Sequence, residues 1–172
     1  EEAARQLEEP QAELKRSLLL QNELIALILE DLRARLQLAR LACSDRSMWR
    51  ELRARRAILR IARQMQDNPH PFAQVRGAMF SAQLAWLEGE LRTCLERIER
   101  AEDIAQRFHQ LADAHLLQLW RGHLLGDIAQ GRELRRGASA WLEGHGVVHP
   151  VALMRMGLPV TQAPGAINSS RS

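Results

Sequence analysis

Residues 78–102 read AMFSAQLAWLEGELRTCLERIERAE, and this stretch decides the fold. A single glycine, Gly89, lies near its centre, and small side chains recur on both sides of it at Ala78, Ala82, Ala85, Cys94 and Ala101. Glycine is favoured at the left-handed end of a helix, and small side chains allow two helices to approach closely. The stretch therefore predicts a tight helical hairpin that turns at Gly89.

The same helical pattern continues in both directions along the chain, because apolar residues recur there at three- and four-residue intervals. The spacing, with the Gly and Pro residues as stops, predicts seven helices at about 14–42, 46–66, 72–88, 90–108, 110–125, 127–143 and 150–156. The first is either one long helix or two in series. Ser44 and Asp45 supply oxygen atoms for the N-cap of the second helix, and the prolines in 67–71 end it.

These helices define one predicted domain over 14–159, with hairpins at about 14–67, 72–108 and 110–144 and a C-terminal capping helix at 150–156. Residues 1–13 are expected to be the start of a fragment or the end of a preceding helix, and 160–172 are expected to form a flexible tail. The chain begins with Glu1 and shows no basic-then-apolar leader, which indicates a piece of a longer protein.

The small residues around Gly89 lie at offsets similar to those of a tetratricopeptide repeat of about 34 residues. The hairpin around Gly126 matches these offsets only loosely, so we predict degenerate repeats. The expected fold is all-α: a right-handed stack of antiparallel helical hairpins, a degenerate tetratricopeptide-like α-solenoid, closed by the short capping helix. A plain antiparallel helix bundle is the alternative.

Composition restricts the class of protein. The chain has 172 residues, of which 46% are hydrophobic and 26% charged, so it can form a core. No apolar run reaches the length needed to span a membrane, and two cysteines are too few for a disulfide framework. We therefore expect a cytoplasmic protein without a transmembrane segment.

No pattern in the sequence predicts catalysis or cofactor binding. His109, His115 and His123 do not have the i, i+4 spacing that binds a metal from one helix face, and the chain lacks H-E-x-x-H and C-x-x-C motifs. Ser81 and Ser139 lie within helices and not on a strained strand-to-helix turn. Cys94 is expected to be a compact hydrophobic residue. We predict no catalytic residues, no metal and no cofactor.

The second helix has a strongly basic face. An apolar stripe is predicted at Met48, Leu52, Ile58, Leu59, Ala62 and Met65, opposite an arginine row at Arg46, Arg50, Arg53, Arg56, Arg60 and Arg63. This row is either a solvated face or a docking surface for an acidic partner. The candidate partner-binding residues are Arg53, Arg56, Arg60 and Arg63. Arg55 falls within the stripe and is expected to reach its edge or to pair with Glu30 or Asp31.

Nucleic acid is the less favoured partner, because a net charge of +3 is modest for binding a phosphate backbone. Four tryptophans lie on four helices, at Trp49, Trp86, Trp120 and Trp141. Each could anchor a peptide, but packing between helices is the more common role. Only Trp49 lies beside the basic face.

The C-terminal third carries a family resemblance. Leu124-Leu125-Gly126, Gly131-Arg132, Ala140-Trp141-Leu142, Gly146-Val147, Pro150, Arg155-Met156 and Pro159 occur in an order similar to the C-terminus of bacterial, myxobacterial-type multidomain serine/threonine protein kinases. The stretch from Leu84 to Glu102 resembles their last full repeat, and the whole resemblance covers Leu24 to Pro159. Ala152 and Val160-Thr161 depart from the family pattern. The resemblance implies a tetratricopeptide-like array that follows an ATP-dependent kinase domain.

None of the kinase motifs themselves occurs in these residues: there is no Gly-rich loop, no H-R-D and no D-F-G. The expected function is thus a non-catalytic protein–protein interaction and regulatory module, which recognises a protein or peptide in a concave groove with help from arginines. The alternative is the helical sensor or effector array of a bacterial transcriptional regulator. An enzyme would need a cluster of polar groups that the sequence does not indicate.

Overall fold

The computed structural model describes residues 23–42 and 48–159, and every regular element within them is an α-helix. The helices are α1 Glu23–Ala42, α2 Met48–Gln66, α3 Pro71–Leu87, α4 Leu91–Arg107, α5 Leu111–Leu124, α6 Ala129–Gly144 and α7 Pro150–Gly157. The predicted all-α class is confirmed. The predicted helix start at 14, the N-cap at Ser44 and Asp45, the segment 1–13 and the tail 160–172 lie outside the described residues.

Each helix packs against the next one along the chain, and α1 also contacts α3 while α5 also contacts α7. The most extensive packing is within two antiparallel pairs, α3 with α4 and α5 with α6. Helix α3 lies between two apolar clusters: Phe80 joins α1 and α2 through Leu38 and Ile58, and Met79 joins the cluster that contains Ile98 and Trp120. Since α3 is buried on most of its surface, it is the central element of the fold.

Helix α3 ends in a hydrogen-bonded turn at Gly89. The amide of Glu90 donates to the carbonyl of Ala85 (2.9 Å), and Gly89 adopts a positive φ of 77°. This is the Schellman arrangement, which satisfies carbonyls that the last turn of a helix leaves unpaired. His109, Gly126 and Gly146 also have positive φ angles at the ends of α4, α5 and α6.

These turn residues recur at a constant interval. Gly89 precedes Gly126 by 37 residues, and His109 precedes Gly146 by the same number. The α3–α4 and α5–α6 pairs therefore share one register of helix ends, although α5 is shorter than α3. The sequence did not indicate His109 as a turn residue, because a non-glycine residue at positive φ is uncommon.

Glycines mark the places where helix backbones come closest. A Cβ atom built on Gly77 would lie 2.6 Å from the Ala62 carbonyl oxygen and 2.9 Å from the Gln66 nitrogen, so α2 and α3 meet there without room for a methyl group. A Cβ atom on Gly131 would lie 2.4 Å from the Gly126 carbonyl oxygen and 3.1 Å from that of Gly122. These contacts explain why α6 tolerates a glycine that lowers its helix propensity.

A buried charge cluster joins the odd-numbered helices. Arg76 of α3 lies 2.9 Å from an oxygen of Asp113 on α5 and 3.7 Å from one of Asp31 on α1. Asp31 is only 2% exposed and also pairs with Arg35, which donates to the Met156 carbonyl oxygen of α7 (3.3 Å). Helix packing connects α1 with α3 and α5 with α7, and the side-chain contacts of Arg76 and Arg35 connect α3 with α5 and α1 with α7. Among the described helices, none is both long and apolar enough to cross a membrane.

Two glycines of α6 provide a matched test of this packing. Gly131→Ala should lower the free energy of unfolding by about 1–3 kcal/mol, because the added methyl group overlaps backbone atoms. Gly137→Ala should raise it by about 1 kcal/mol, since the space around Gly137 is open and alanine favours helix. Urea unfolding followed by circular dichroism measures both. Changes of the same sign in the two variants would contradict the close approach at Gly131.

Candidate functional site

The arginine row of α2 is exposed as the sequence predicts. Arg53, Arg56, Arg60 and Arg63 all lie on the solvent side of the helix. The ion pairs formed among the described residues include none of these four side chains. Arg46 and the side chain of Arg50 lie outside the described part of the chain. The row is therefore a positive surface whose charges are not neutralised by the described residues.

Of the two alternatives for Arg55, the pairing with Glu30 or Asp31 is wrong, whereas the side chain does reach the edge of the stripe, where it is one-third exposed. Its guanidinium group pairs with Glu51 one turn earlier on α2 (2.7 Å) and lies 3.4 Å from Glu88 at the end of α3. Glu30 and Asp31 have other partners, namely Arg33 and Arg35 on their own helix. Glu51 is the one acidic residue of α2. Because it pairs with Arg55, it does not neutralise the arginine row.

Trp49 is the exception among the tryptophans. Its side chain is 77% exposed, whereas Trp120 is fully buried and Trp86 and Trp141 are partly buried in the core. Packing is thus confirmed for three of the four. An exposed indole leaves a large apolar surface in water, which makes it a candidate contact for a partner.

Trp49 and the arginine row line one groove along α2. Its volume is about 470 Å³, and it is lined by Trp49, Leu52, Arg53, Arg56, Ala57 and Arg60. Met48 and Leu52, which the sequence places in the buried stripe, are exposed here, while Ile58, Ala62 and Met65 further along α2 are buried. The first half of α2 therefore presents apolar and cationic groups together. We call this surface the α2 groove.

A second cleft lies between α2 and α4, with α3 as its floor. Its volume is about 220 Å³, and its lining is Leu59, Arg63, Gln66, Ala78, Ser81, Arg97 and Arg100. Three arginines from two helices converge there, and the lining contains no carboxylate. We call this site the arginine cleft. The sequence indicated Arg63 as a candidate but missed Arg97 and Arg100, because nothing local shows that α4 faces α2.

Three of the four carboxylates of α4 have partners elsewhere, and the fourth belongs to Asp103. Glu96 pairs with Arg92 of the same helix (3.0 Å), while Glu99 and Glu102 both bind Arg121 of α5 at 2.7 and 2.9 Å. These pairs direct the negative charges of α4 away from the arginine cleft. The ion pairs among the described residues include neither Arg97 nor Arg100.

Glu102 is a buried carboxyl group with an unusual pKa. Burial raises its pKa from 4.5 to about 7, Arg121 acts in the opposite direction, and Glu99 and Asp103 raise it further. One of its oxygens, Oε1, is buried without a hydrogen-bond partner. The folded protein therefore favours the protonated form of Glu102.

The other groups of the described residues that could take part in chemistry are a cysteine and several histidines. Burial raises the pKa of the Cys94 thiol to about 12, so this thiol behaves as the compact hydrophobic residue that the sequence predicts. His115 stacks on Trp141 at 4.2 Å, and Trp141 stacks on His145 at 3.8 Å. Within the ranges 23–42 and 48–159, no three His, Cys, Asp or Glu side chains come together to hold a metal ion.

Comparison with known proteins adds no assignment: no family model, no curated protein and no solved structure matches this chain. The resemblance to the C-terminal arrays of bacterial kinases therefore stays a prediction. The geometry itself offers two adjoining features, the α2 groove and the arginine cleft, which share helix α2.

Glu102 generates a pH-dependent prediction. Its raised pKa stabilises the fold most below about pH 4.5, and this contribution is lost as the pH rises through about 7. Between these values the wild type should lose stability relative to Glu102→Gln, on the order of 1–2 kcal/mol, because the glutamine does not ionise. Urea unfolding at intervals from pH 4.5 to 7.5 measures the difference.

Glu96→Gln is the control, since it removes an exposed carboxylate from the same helix. If the curves for wild type and Glu102→Gln run parallel over this range, the raised pKa of Glu102 is contradicted.

Proposed function

We propose that this chain is a non-catalytic interaction module that binds an acidic, partly apolar segment of a protein partner in the α2 groove. The observation that carries the proposal is the exposure of Trp49 beside arginines that no described acid neutralises. Tryptophan and arginine are the residues most enriched at the energetic centres of protein interfaces. A segment with carboxylates and a few apolar side chains complements both features.

Charge complementarity favours an acidic protein segment as the partner. Arginine's planar fork binds carboxylates in a bidentate manner, and it stacks on aromatic surfaces. A nucleic acid would also meet positive charge here, but the overall charge of +3 is small for a phosphate backbone. Binding of a nucleic acid is one of the outcomes that the test below distinguishes.

For the architecture, we propose the degenerate, right-handed tetratricopeptide-like stack. Two observations support it: the constant 37-residue interval between the turn residues of the two hairpins, and the packing of each helix on its sequence neighbour. Such arrays present extended binding surfaces formed by successive hairpins. We propose that the full-length protein is a bacterial serine/threonine kinase. In it, this module would recruit substrates or regulators in the cytoplasm.

A peptide selection tests the proposed function. The chain is used as bait against a displayed library of random 16-residue peptides, and we expect enrichment of peptides that combine Asp or Glu with Leu, Phe or Trp. The triple variant Arg53→Gln/Arg56→Gln/Arg60→Gln should bind the selected peptides at least about tenfold more weakly. Trp49→Ala should lower the affinity for these peptides by a similar factor. Fluorescence anisotropy of the labelled peptides measures the affinities.

The matched control is Arg92→Gln/Arg136→Gln/Arg155→Gln, which removes three exposed arginines from other helices. Equal losses in the control and the test variant would contradict a role for the α2 groove. Selected peptides without acidic residues would also contradict it, as would tighter binding of a 20-nucleotide single-stranded DNA with a steep salt dependence.

A further inference from the structure

We propose that the arginine cleft is a phosphate-monoester site, which takes the phosphorylated serine or threonine side chain of the segment bound in the α2 groove. The peptide part of this inference rests on the proposed function, whereas the affinity of the cleft for phosphate does not. Three observations carry it: the convergence of cations in a lining without an acid, the fixed position of one arginine, and the short distance along α2 between the cleft and the α2 groove.

The first observation concerns charge. Arg63 comes from α2, and Arg97 and Arg100 come from α4, so two separate helices bring three guanidinium groups to one cleft. Like charges repel, and such an arrangement is stabilised when an anion lies between them. Three of the four carboxylates of α4, those of Glu96, Glu99 and Glu102, are bound by Arg92 and Arg121.

The second observation concerns preorganisation. Arg97 Nη1 donates to the Ser81 carbonyl oxygen (2.8 Å), which holds its guanidinium group against α3 and leaves other N–H groups available. The Ser81 hydroxyl donates to the Gly77 carbonyl oxygen (3.0 Å) and accepts from Gln66 Nε2 (2.8 Å), so the floor of the cleft is also fixed. A site whose donors are already oriented loses less entropy when it binds.

Size and charge favour a phosphate group over a carboxylate. A volume of 220 Å³ equals the share of about seven liquid water molecules at roughly 30 Å³ each, which is room for a phosphoryl group on a side chain. A phosphoserine carries a charge of about −1.5 to −2 and three acceptor oxygens. A single carboxylate would leave two of the three arginines unmatched.

The third observation is that the cleft and the α2 groove lie a short distance apart along the same helix. Arg56 in the groove and Arg63 in the cleft are two helical turns apart on similar sides of α2, which corresponds to about 10 Å along the axis. Three or four residues of extended chain span this distance. One peptide can therefore contact Trp49 and the arginine row and still place a phosphorylated residue among Arg63, Arg97 and Arg100.

The first experiment uses inorganic phosphate as the probe, so it is independent of any peptide. Phosphate is titrated into the chain at constant ionic strength and followed by the arginine Nε–Hε signals in NMR spectra. We expect saturable binding in the millimolar range, weakened at least about tenfold in Arg97→Gln/Arg100→Gln. Arg100→Gln alone alters only an exposed side chain, and it should weaken binding even if the double variant folds poorly.

Arg136→Gln/Arg155→Gln is the matched control, because both arginines are exposed and lie on other helices. Loss of phosphate binding equal to that of the cleft variants would overturn the site. So would the absence of saturation, or acetate binding as tight as phosphate.

The second experiment uses the selected acidic peptides, synthesised with and without phosphoserine at each serine position. At one position, phosphorylation should tighten binding by about tenfold or more, and Arg100→Gln should remove this gain while leaving the unphosphorylated peptide unaffected. Phosphate binding without any peptide binding would overturn the proposed function but not the site. Peptide binding that phosphorylation does not tighten at any position would overturn this inference and leave the proposed function standing.

Discussion

The close approach of α2 to α3 is the constraint on which the binding surface depends. At Gly77 the two helices meet with no room for a Cβ atom, so α2 lies directly on α3. Helix α4 packs on α3 through another face, with Cys94, Ile98 and Ala101 buried. The space left between α2 and α4 is the arginine cleft. A bulkier residue at the crossing would move Arg63 relative to Arg97, since both side chains are carried by rigid helices.

Arginines serve three different physical roles in this chain. Arg76 is buried between Asp31 and Asp113 and joins three helices, and Arg121 likewise binds two acids of the neighbouring helix. Arg55 pairs mainly within its own helix. The third role belongs to the arginines of the α2 groove and the arginine cleft, which no described carboxylate neutralises. The contrast matters because Glu96 and Glu99 of α4 are near enough in sequence to pair with Arg97 and Arg100, yet they bind Arg92 and Arg121.

Local patterns in the sequence were sufficient to predict the helices. They were not sufficient to predict which helices and side chains come into contact. The small residues around Gly89 indicated a tight hairpin, and Ala82, Cys94 and Ala101 are indeed buried there. The turn at His109 was not indicated, because its backbone angle follows from the hydrogen bond between Gln110 and Ala105 and not from its residue type. The partner of Arg55 and the meeting of Arg63 with Arg97 depend on how helices far apart in sequence pack, which periodicity does not encode.

The distribution of charge divides the molecule into two sides. On the odd-numbered helices, Arg35 and Arg76 bind carboxylates or a carbonyl oxygen. Contacts connect α1 with α3, α3 with α5, α5 with α7, and α7 with α1. On α2 and α4, by contrast, six arginines outside the ion pairs of the described residues line a groove and a cleft that are open to solvent, namely Arg53, Arg56, Arg60, Arg63, Arg97 and Arg100. An anion gains most where cations lack partners, because it does not have to displace an existing ion pair. The recognition that we propose therefore takes place on α2 and α4, whose arginines line the two cavities.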